Sequence, residues 1–144
     1  MRAPHLPQIF VHNRQRKIRL DRSALQDFAR RALLLCAREK GPGLTNLQEV
    51  HVILISDRRM SALHHRFMQI AGPTDVITFD HGEICISVET ARRQARSYKT
   101  SLGHELALYL VHGLLHLRGF EDASPAQRRR MARAQERIVR QVST

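Results

Sequence analysis

Apolar residues recur with two different periods in the first half of the chain, which predicts alternating strands and helices. Residues 7–13 predict a short strand that Pro7 can open, and the mostly apolar residues 49–56 predict a central strand of a sheet. Between them, apolar residues follow Asp21 at helical spacing, so Asp21 is a candidate N-cap. The glycine-rich stretch at residues 41–43 is expected to stop this helix.

A second helix followed by a hairpin is predicted for the middle of the chain. Asp57 is expected to cap the helix, and Gly72-Pro73 to end it. Residues 74–79 and 83–88 then predict two strands joined by the short loop at residues 80–82. The apolar stripe of the helix comprises Met60, Leu63, Phe67 and Ile70.

The second half of the chain has the periodicity of three helices. A basic helix is predicted for residues 89–98, and a helix that is apolar nearly all round for residues 101–117, with Gly119 just beyond its end. Ser124, Pro125 and Gln127 have the features of a new helix start. The order β-α-β-α-β-β-α-α-α predicts an α+β fold in which helices cover a small mixed sheet.

The composition adds three expectations. The chain has 144 residues and no linker divides it, so residues 1–144 are expected to form a single domain. Cys36 and Cys85 lie in apolar stretches and form no CxxC motif, so we expect buried, reduced thiols. Together with the lack of a membrane-span or signal-peptide pattern, this predicts a cytoplasmic protein that does not enter the membrane.

Positive charge indicates a polyanionic partner. The formal net charge is +11, and a basic surface that pairs with phosphates releases condensed counterions, so nucleic acid is the expected partner, and a basic protein with no nucleic-acid role is the alternative. Arginines crowd the basic helix predicted to begin at residue 89 and the last predicted helix, where the alternative is a solvated helix face. They are Arg92, Arg93 and Arg96 with Lys99 in the former, and Arg128, Arg129, Arg130, Arg133, Arg137 and Arg140 in the latter.

The stretch HGLLHLRGFED at residues 112–122 is the strongest candidate for chemistry. His112 and His116 are four residues apart on a helix, so both imidazoles can reach one ion. Gly119 allows the chain to turn back and bring Glu121 or Asp122 to the same point. Three ligands with an open position are typical of catalytic zinc sites. The alternative is a hydrogen-bonded histidine pair without a metal, because HxxxH alone is a weak signal.

The same stretch resembles the signature HGxLHLxGxDH of the YbeY family of metal-dependent endoribonucleases. PTDVITFD at residues 73–80 and GEICIS at residues 82–87 resemble two further family stretches, PTDVLSFP and GDIxIS. The resemblance runs in order from Asp57 to the end of the chain. It implies an α+β fold, one zinc-type ion held by three histidines, and a role in ribosomal RNA maturation.

Two departures from the family pattern concern the site. The first two family histidines fall on His112 and His116, whereas the third falls on Asp122, preceded by Glu121. Aspartate is a legitimate zinc ligand, so the expected metal ligands are His112, His116 and Asp122, and the oxygen ligand widens the range of metals that fit.

The second departure is a lost arginine. Where the family has a Tyr-Arg pair before PTD, this chain has Phe67-Met68, and Arg66 would face another side of the helix. Arg66, Arg92, Arg93 and Arg96 are the expected RNA-binding residues, and no catalytic side chain is assigned.

Three functions are compatible with these features. The first is a single-strand-specific, metal-dependent endoribonuclease that acts in ribosomal RNA processing. The second is a non-catalytic or weakly active RNA- or ribosome-binding factor, which both departures favour. The third is hydrolysis of a substrate other than nucleic acid, which the high positive charge disfavours.

Overall fold

The four strands form one mixed sheet in the computed structural model, which describes residues 5–69 and 74–143. The order across the sheet is β1-β2-β4-β3, and only β3 runs antiparallel to its neighbour. The predicted α+β class with a small mixed sheet is therefore confirmed. The strands are β1 (Gln8–Asn13), β2 (Glu49–Ile55), β3 (Val76–Phe79) and β4 (Glu83–Ser87).

Five helices accompany the sheet, in the predicted order. None of those in the described ranges has both the length and the apolar character needed to cross a bilayer. They are α1 (Arg22–Ala37), α2 (Asp57–Met68), α3 (Val88–Tyr98), α4 (Leu102–Arg118) and α5 (Pro125–Ser143).

The cap of α2 differs from the prediction. Ser56, rather than Asp57, accepts the hydrogen bond from the backbone of Arg59. The Asp57 carboxylate instead accepts hydrogen bonds from the hydroxyls of Ser87 and Thr90 and pairs with an arginine of α3. Asp57 therefore joins the start of α2 to the start of α3.

The main core lies between one face of the sheet and the helices α1, α4 and α5. As its apolar pattern predicted, α4 is buried along most of its length. Gly113 allows α4 to approach β4 closely, because a Cβ there would lie 2.6 Å from the Ile84 side chain. The residues that this sheet face contributes include Val50, Val52, Leu54, Ile84 and Ile86, all at most 1 % exposed.

A smaller cluster occupies part of the opposite face. Met60 of α2 packs there with Ile55, Ile77 and Cys85. Phe67, predicted for the apolar stripe of α2, is 55 % exposed, because the helix ends at Met68 beyond the edge of this cluster. The other predicted features, Ile70 and Gly72-Pro73, lie outside the described residues.

The connection between α1 and β2 packs against the end of α4. Helix α1 ends at Ala37, earlier than the glycine-rich stretch suggested. Gly41 and Gly43 serve a different purpose, since a Cβ on either would lie about 2 Å from a carbonyl oxygen of Arg118 or Leu117. The Arg118 guanidinium donates to the carbonyls of Glu39 and Gly43. These contacts hold the end of the helix that carries the two histidines.

Both cysteines are buried and unpaired, as predicted. Burial raises the pKa of Cys36 to about 12 and the pKa of Cys85 to about 11. Both groups are therefore neutral thiols at physiological pH.

Candidate metal centre

Three potential ligand atoms converge where α4 ends. The Nε2 atoms of His112 and His116 are 3.0 Å apart. The Asp122 Oδ2 atom lies 3.7 Å from the first and 3.3 Å from the second. Within the described residues this is the one group of three or more such side chains whose ligand atoms come this close. The sequence-predicted trio is therefore brought together in space.

The far side of each imidazole is held by an oxygen atom. The Nδ1 of His116 is 3.0 Å from the Phe120 carbonyl oxygen, and the Nδ1 of His112 is 2.9 Å from Gln135 Oε1. A carbonyl oxygen can only accept, so His116 donates its Nδ1 proton, and the amide oxygen of Gln135 assigns the same tautomer to His112. Both Nε2 lone pairs then point at each other and at a carboxylate. This arrangement is electrostatically suited to a cation.

The separations also fit a tetrahedral ion. Metal–ligand distances of about 2.0–2.1 Å place tetrahedral ligand atoms about 3.3 Å apart. The three observed separations, 3.0, 3.3 and 3.7 Å, surround that value. A nitrogen–nitrogen–oxygen donor set suits zinc and other divalent transition metals. The residues present therefore fit the metal that the sequence led us to expect.

The pKa of His112 is lowered. Burial disfavours the imidazolium, while the hydrogen bond with Gln135 acts in the opposite direction with a smaller effect. The neutral form is the one that can ligate a metal.

Backbone geometry directs Asp122, rather than Glu121, toward the histidines. Gly119 has φ 122°, and its N–H donates to the carbonyl oxygens of Leu115 and His116, which reverses the chain. The Glu121 carboxylate accepts a hydrogen bond from the Gln127 side chain at 3.1 Å. Ser124 and Gln127 exchange hydrogen bonds at the start of α5, as a capping box does. Asp122 is thus fixed between two helix ends.

The converging atoms lie in an acidic cleft of about 560 Å³. Four carboxylates line it, those of Asp75, Asp80, Glu121 and Asp122, and its described lining contains no lysine or arginine. Met68, the residue at the lost arginine position, is among the lining residues. Without a bound cation, this cleft would repel a phosphate group.

A family model described as Endoribonuclease YbeY matches residues 10–143.

This chain belongs to the YbeY family.

The matches with curated YbeY relatives cover different shares of each relative's length. A protein named Endoribonuclease YbeY from Anaeromyxobacter sp. is 38 % identical over 64 % of this chain and 53 % of its own length. One with the same name from Gluconobacter oxydans is 36 % identical over 77 % of this chain and 70 % of its own length. The matched part of this chain thus spans about half of the first relative. The predicted family membership is confirmed.

A solved structure supports the fold. The solution structure of a Thermotoga maritima protein matches with a TM-score of 0.66 and covers 94 % of this chain and 89 % of its own. The sequence identity is 24 %, so this likeness concerns the fold alone.

The arginines predicted to bind RNA lie outside the cleft of this YbeY chain. Arg66 places its guanidinium 5.4 Å from the Phe67 ring centroid and is absent from the cleft lining. On α3, Arg92 and Arg96 are exposed, whereas Arg93 is hydrogen-bonded to Asp57 and Thr90. The structure therefore makes Arg93 a link between α2 and α3, and leaves Arg92 and Arg96 free to face solvent.

Two further polar residues have structural partners. Glu105 is buried and accepts a hydrogen bond from the Thr100 hydroxyl. Asp75 lines the cleft, and its carboxylate also accepts a hydrogen bond from the backbone N–H of Val76 at 2.8 Å. Asp75 therefore contributes both to the local turn and to the wall of the cleft.

Sequence reasoning missed the two groups that hold the imidazoles. Gln135 lies next to Ala134 and one turn after Met131 on the buried side of α5, so a polar residue at a core-facing position was the available signal. The Phe120 carbonyl is a backbone group, and no residue type could have revealed it.

Proposed function

We propose that this protein is a metal-dependent endoribonuclease that acts in ribosomal RNA maturation and processing in the cytoplasm. The observation that carries the proposal is the convergence of two Nε2 atoms and one carboxylate oxygen within an acidic cleft. Family membership and the name Endoribonuclease YbeY that its relatives carry support RNA as the substrate. The proposed partner is ribosomal RNA or a ribosomal subunit, and the proposed ion is Zn²⁺ or another divalent metal.

His112, His116 and Asp122 would hold the ion. Such an ion supplies Lewis acid chemistry to a phosphodiester when it is bound. Gln135 and the Phe120 carbonyl keep both imidazoles in the ligating tautomer. Asp122 differs from the histidine that the resemblance implies, because it adds a negative charge, and this charge would make the ion a weaker Lewis acid.

RNA would be held mainly outside the cleft. The chain carries a net charge of +11, yet the cleft lining is acidic, so the binding charge must lie on the surrounding surface. We propose that Arg66, Arg92 and Arg96 contribute to this binding surface. Arg93 would contribute through the part of its guanidinium that is not paired with Asp57.

A second candidate is a non-catalytic or weakly active RNA- or ribosome-binding factor. The specific observation in its favour is Met68, which lines the cleft where the resemblance places an arginine. Stabilising the developing charge on a phosphate normally requires such a cation. Without such a cation, the metal alone would have to stabilise this charge in the cleft.

Cleavage and metal content together test the proposal. Protein purified without added metal should contain close to one divalent ion per chain by elemental analysis and should cut a structured RNA with single-stranded loops. His116→Ala should lose both properties. His104→Ala, which removes an exposed histidine from the other end of α4, is the matched control and should lose neither. Equal cleavage by the wild type and His116→Ala would assign the activity to a contaminant and favour the binding factor.

A further inference from the structure

Among the described residues, no helix covers one half of the outer sheet face. Neighbouring strands place Phe10 opposite His51, and His51 opposite Glu83. The next row on the same face is His12, Ile53, Cys85 and Ile77. Helix α2 packs on the β3 and β4 side of this face, around Met60. The rings of β1 and β2 are therefore left partly exposed.

Three rings on this open half lie side by side and nearly parallel to one another. The ring centroids of Phe10 and His51 are 5.3 Å apart with an interplanar angle of 21°, and those of His12 and His51 are 5.0 Å apart with an angle of 17°. An N–H bridges His12 Nε2 and His51 Nδ1 at 2.8 Å, which fixes both imidazoles. Burial lowers the pKa of His12, with the charge of His51 acting in the same direction, and this favours the neutral imidazole.

Charge on this face is distributed unevenly. Glu49 and Glu83 lie at the start of their strands, where they contact His51 and His81. Arg14 directly follows β1 near His12, and Arg59 of α2 lines the small hollow on the same face. Bases stacked on the rings could therefore direct their phosphates toward the arginines and away from the carboxylates.

The hairpin between β3 and β4 connects this face to the candidate metal centre. Phe79 and His81 form a second ring pair, with centroids 5.8 Å apart, and line a small hollow on the outer face. Asp80 between them lines the metal cleft on the other side. Since β3 is an edge strand, a chain could pass around it from one face to the other.

We propose that the open sheet face is a stacking surface for single-stranded RNA, which holds the strand upstream or downstream of the scissile bond. We define it by the rings Phe10, His12 and His51, with Phe79 and His81 at the hairpin. Nearly parallel rings that are at least partly exposed can accept nucleobases of any sequence, and nearby arginines can follow the backbone. The proposal rests on the proposed function for its substrate, but it concerns binding and is tested separately from cleavage.

Fluorescence anisotropy with a short labelled oligouridylate at fixed salt tests the surface. Phe10→Leu and His12→Leu keep a side chain of comparable size but remove the ring, and each should weaken binding roughly 5- to 100-fold, as expected for the loss of one stacked base. Tyr98→Leu removes a ring that is 69 % exposed on α3 and should bind like the wild type. Duplex RNA should compete poorly with the labelled strand, and circular dichroism establishes that each variant is folded.

The outcomes separate the surface from the nuclease. Unchanged oligouridylate affinity in folded Phe10→Leu and His12→Leu proteins would overturn the stacking surface, even if cleavage dependent on His116 is observed. Lost affinity in both variants with no cleavage by any protein would support the surface and reject the proposed function. A third outcome is that the wild type self-associates in sedimentation, that Phe10→Leu does not, and that oligouridylate affinity is the same in both. This result would assign the face to a second copy of the chain and overturn the proposal.

Discussion

The Oε1 atom of Gln135 lies 2.9 Å from the Nδ1 atom of His112 and joins α5 to the candidate metal centre. Helix α5 thereby contributes to the site, although it supplies no proposed metal ligand. Groups that orient a ligating imidazole typically change metal affinity by 10- to 100-fold when they are removed.

Gln135→Ala should therefore weaken metal binding about 10- to 100-fold while leaving the fold intact. Competition with a chromophoric chelator measures the dissociation constant. Glu136→Ala, which changes the exposed neighbouring residue, is the control. The same dissociation constant in Gln135→Ala and the wild type would show that the imidazole does not depend on this contact.

Asp122 offers a test of the third ligand position. Asp122→Ala should reduce metal affinity by more than Gln135→Ala, because it removes a proposed ligand rather than the support of one. Asp122→His restores the residue that the family resemblance places there, and it should keep one ion per chain and raise the rate of RNA cleavage, since the site loses a negative charge. Glu121→Ala is the control, because that carboxylate is hydrogen-bonded to Gln127. A larger loss of metal in Glu121→Ala than in Asp122→Ala would contradict the assignment.

The packing of α4 on β4 should be sensitive to added volume. Gly113→Ala places a methyl group 2.6 Å from the fully buried Ile84 side chain, so we expect the free energy of unfolding to fall by about 1–3 kcal/mol. Urea titration followed by circular dichroism measures it. Gly103→Ala is the matched control in the same helix, because a Cβ there has no neighbour within 4 Å. Equal stability of the Gly113→Ala variant and the wild type would mean that the helix and strand are not in close contact.

The link between α2 and α3 should give the stability a dependence on pH. Burial raises the pKa of Asp57, but hydrogen bonds from Arg93, Ser87 and Thr90 lower it to a greater extent, so the net value is below the ordinary one. The stabilisation is therefore complete above the unfolded-state pKa of about 3.9 and is lost as the pH falls through the lower folded-state value.

Asp57→Asn should accordingly lower the free energy of unfolding by about 1–3 kcal/mol at pH 7, and this difference should shrink below about pH 4. Urea titrations of both proteins at several pH values measure the difference. Asp27→Asn, which removes an exposed carboxylate of α1, is the control for general charge effects. A difference between Asp57→Asn and the wild type that is as large at pH 3 as at pH 7 would contradict the role of the carboxylate charge.

The sequence by itself determined the order and type of the elements. Strand and helix periods, the helix start at Ser124 and the apolar character of α4 are local properties, and they predicted the elements that the structure contains. The spacing of His112 and His116 likewise placed both imidazoles on one helix face, because four residues make about one turn.

Only the tertiary structure decided how distant groups meet. The choice between Glu121 and Asp122 depends on how the chain turns after Gly119 and where α5 begins. Gln135 reaches His112 because α5 packs against α4. The side-by-side rings of β1 and β2 depend on strand register and on how far α2 covers the sheet. Such contacts join residues far apart in the chain, and no local pattern specifies them, since they follow from the packing of whole elements.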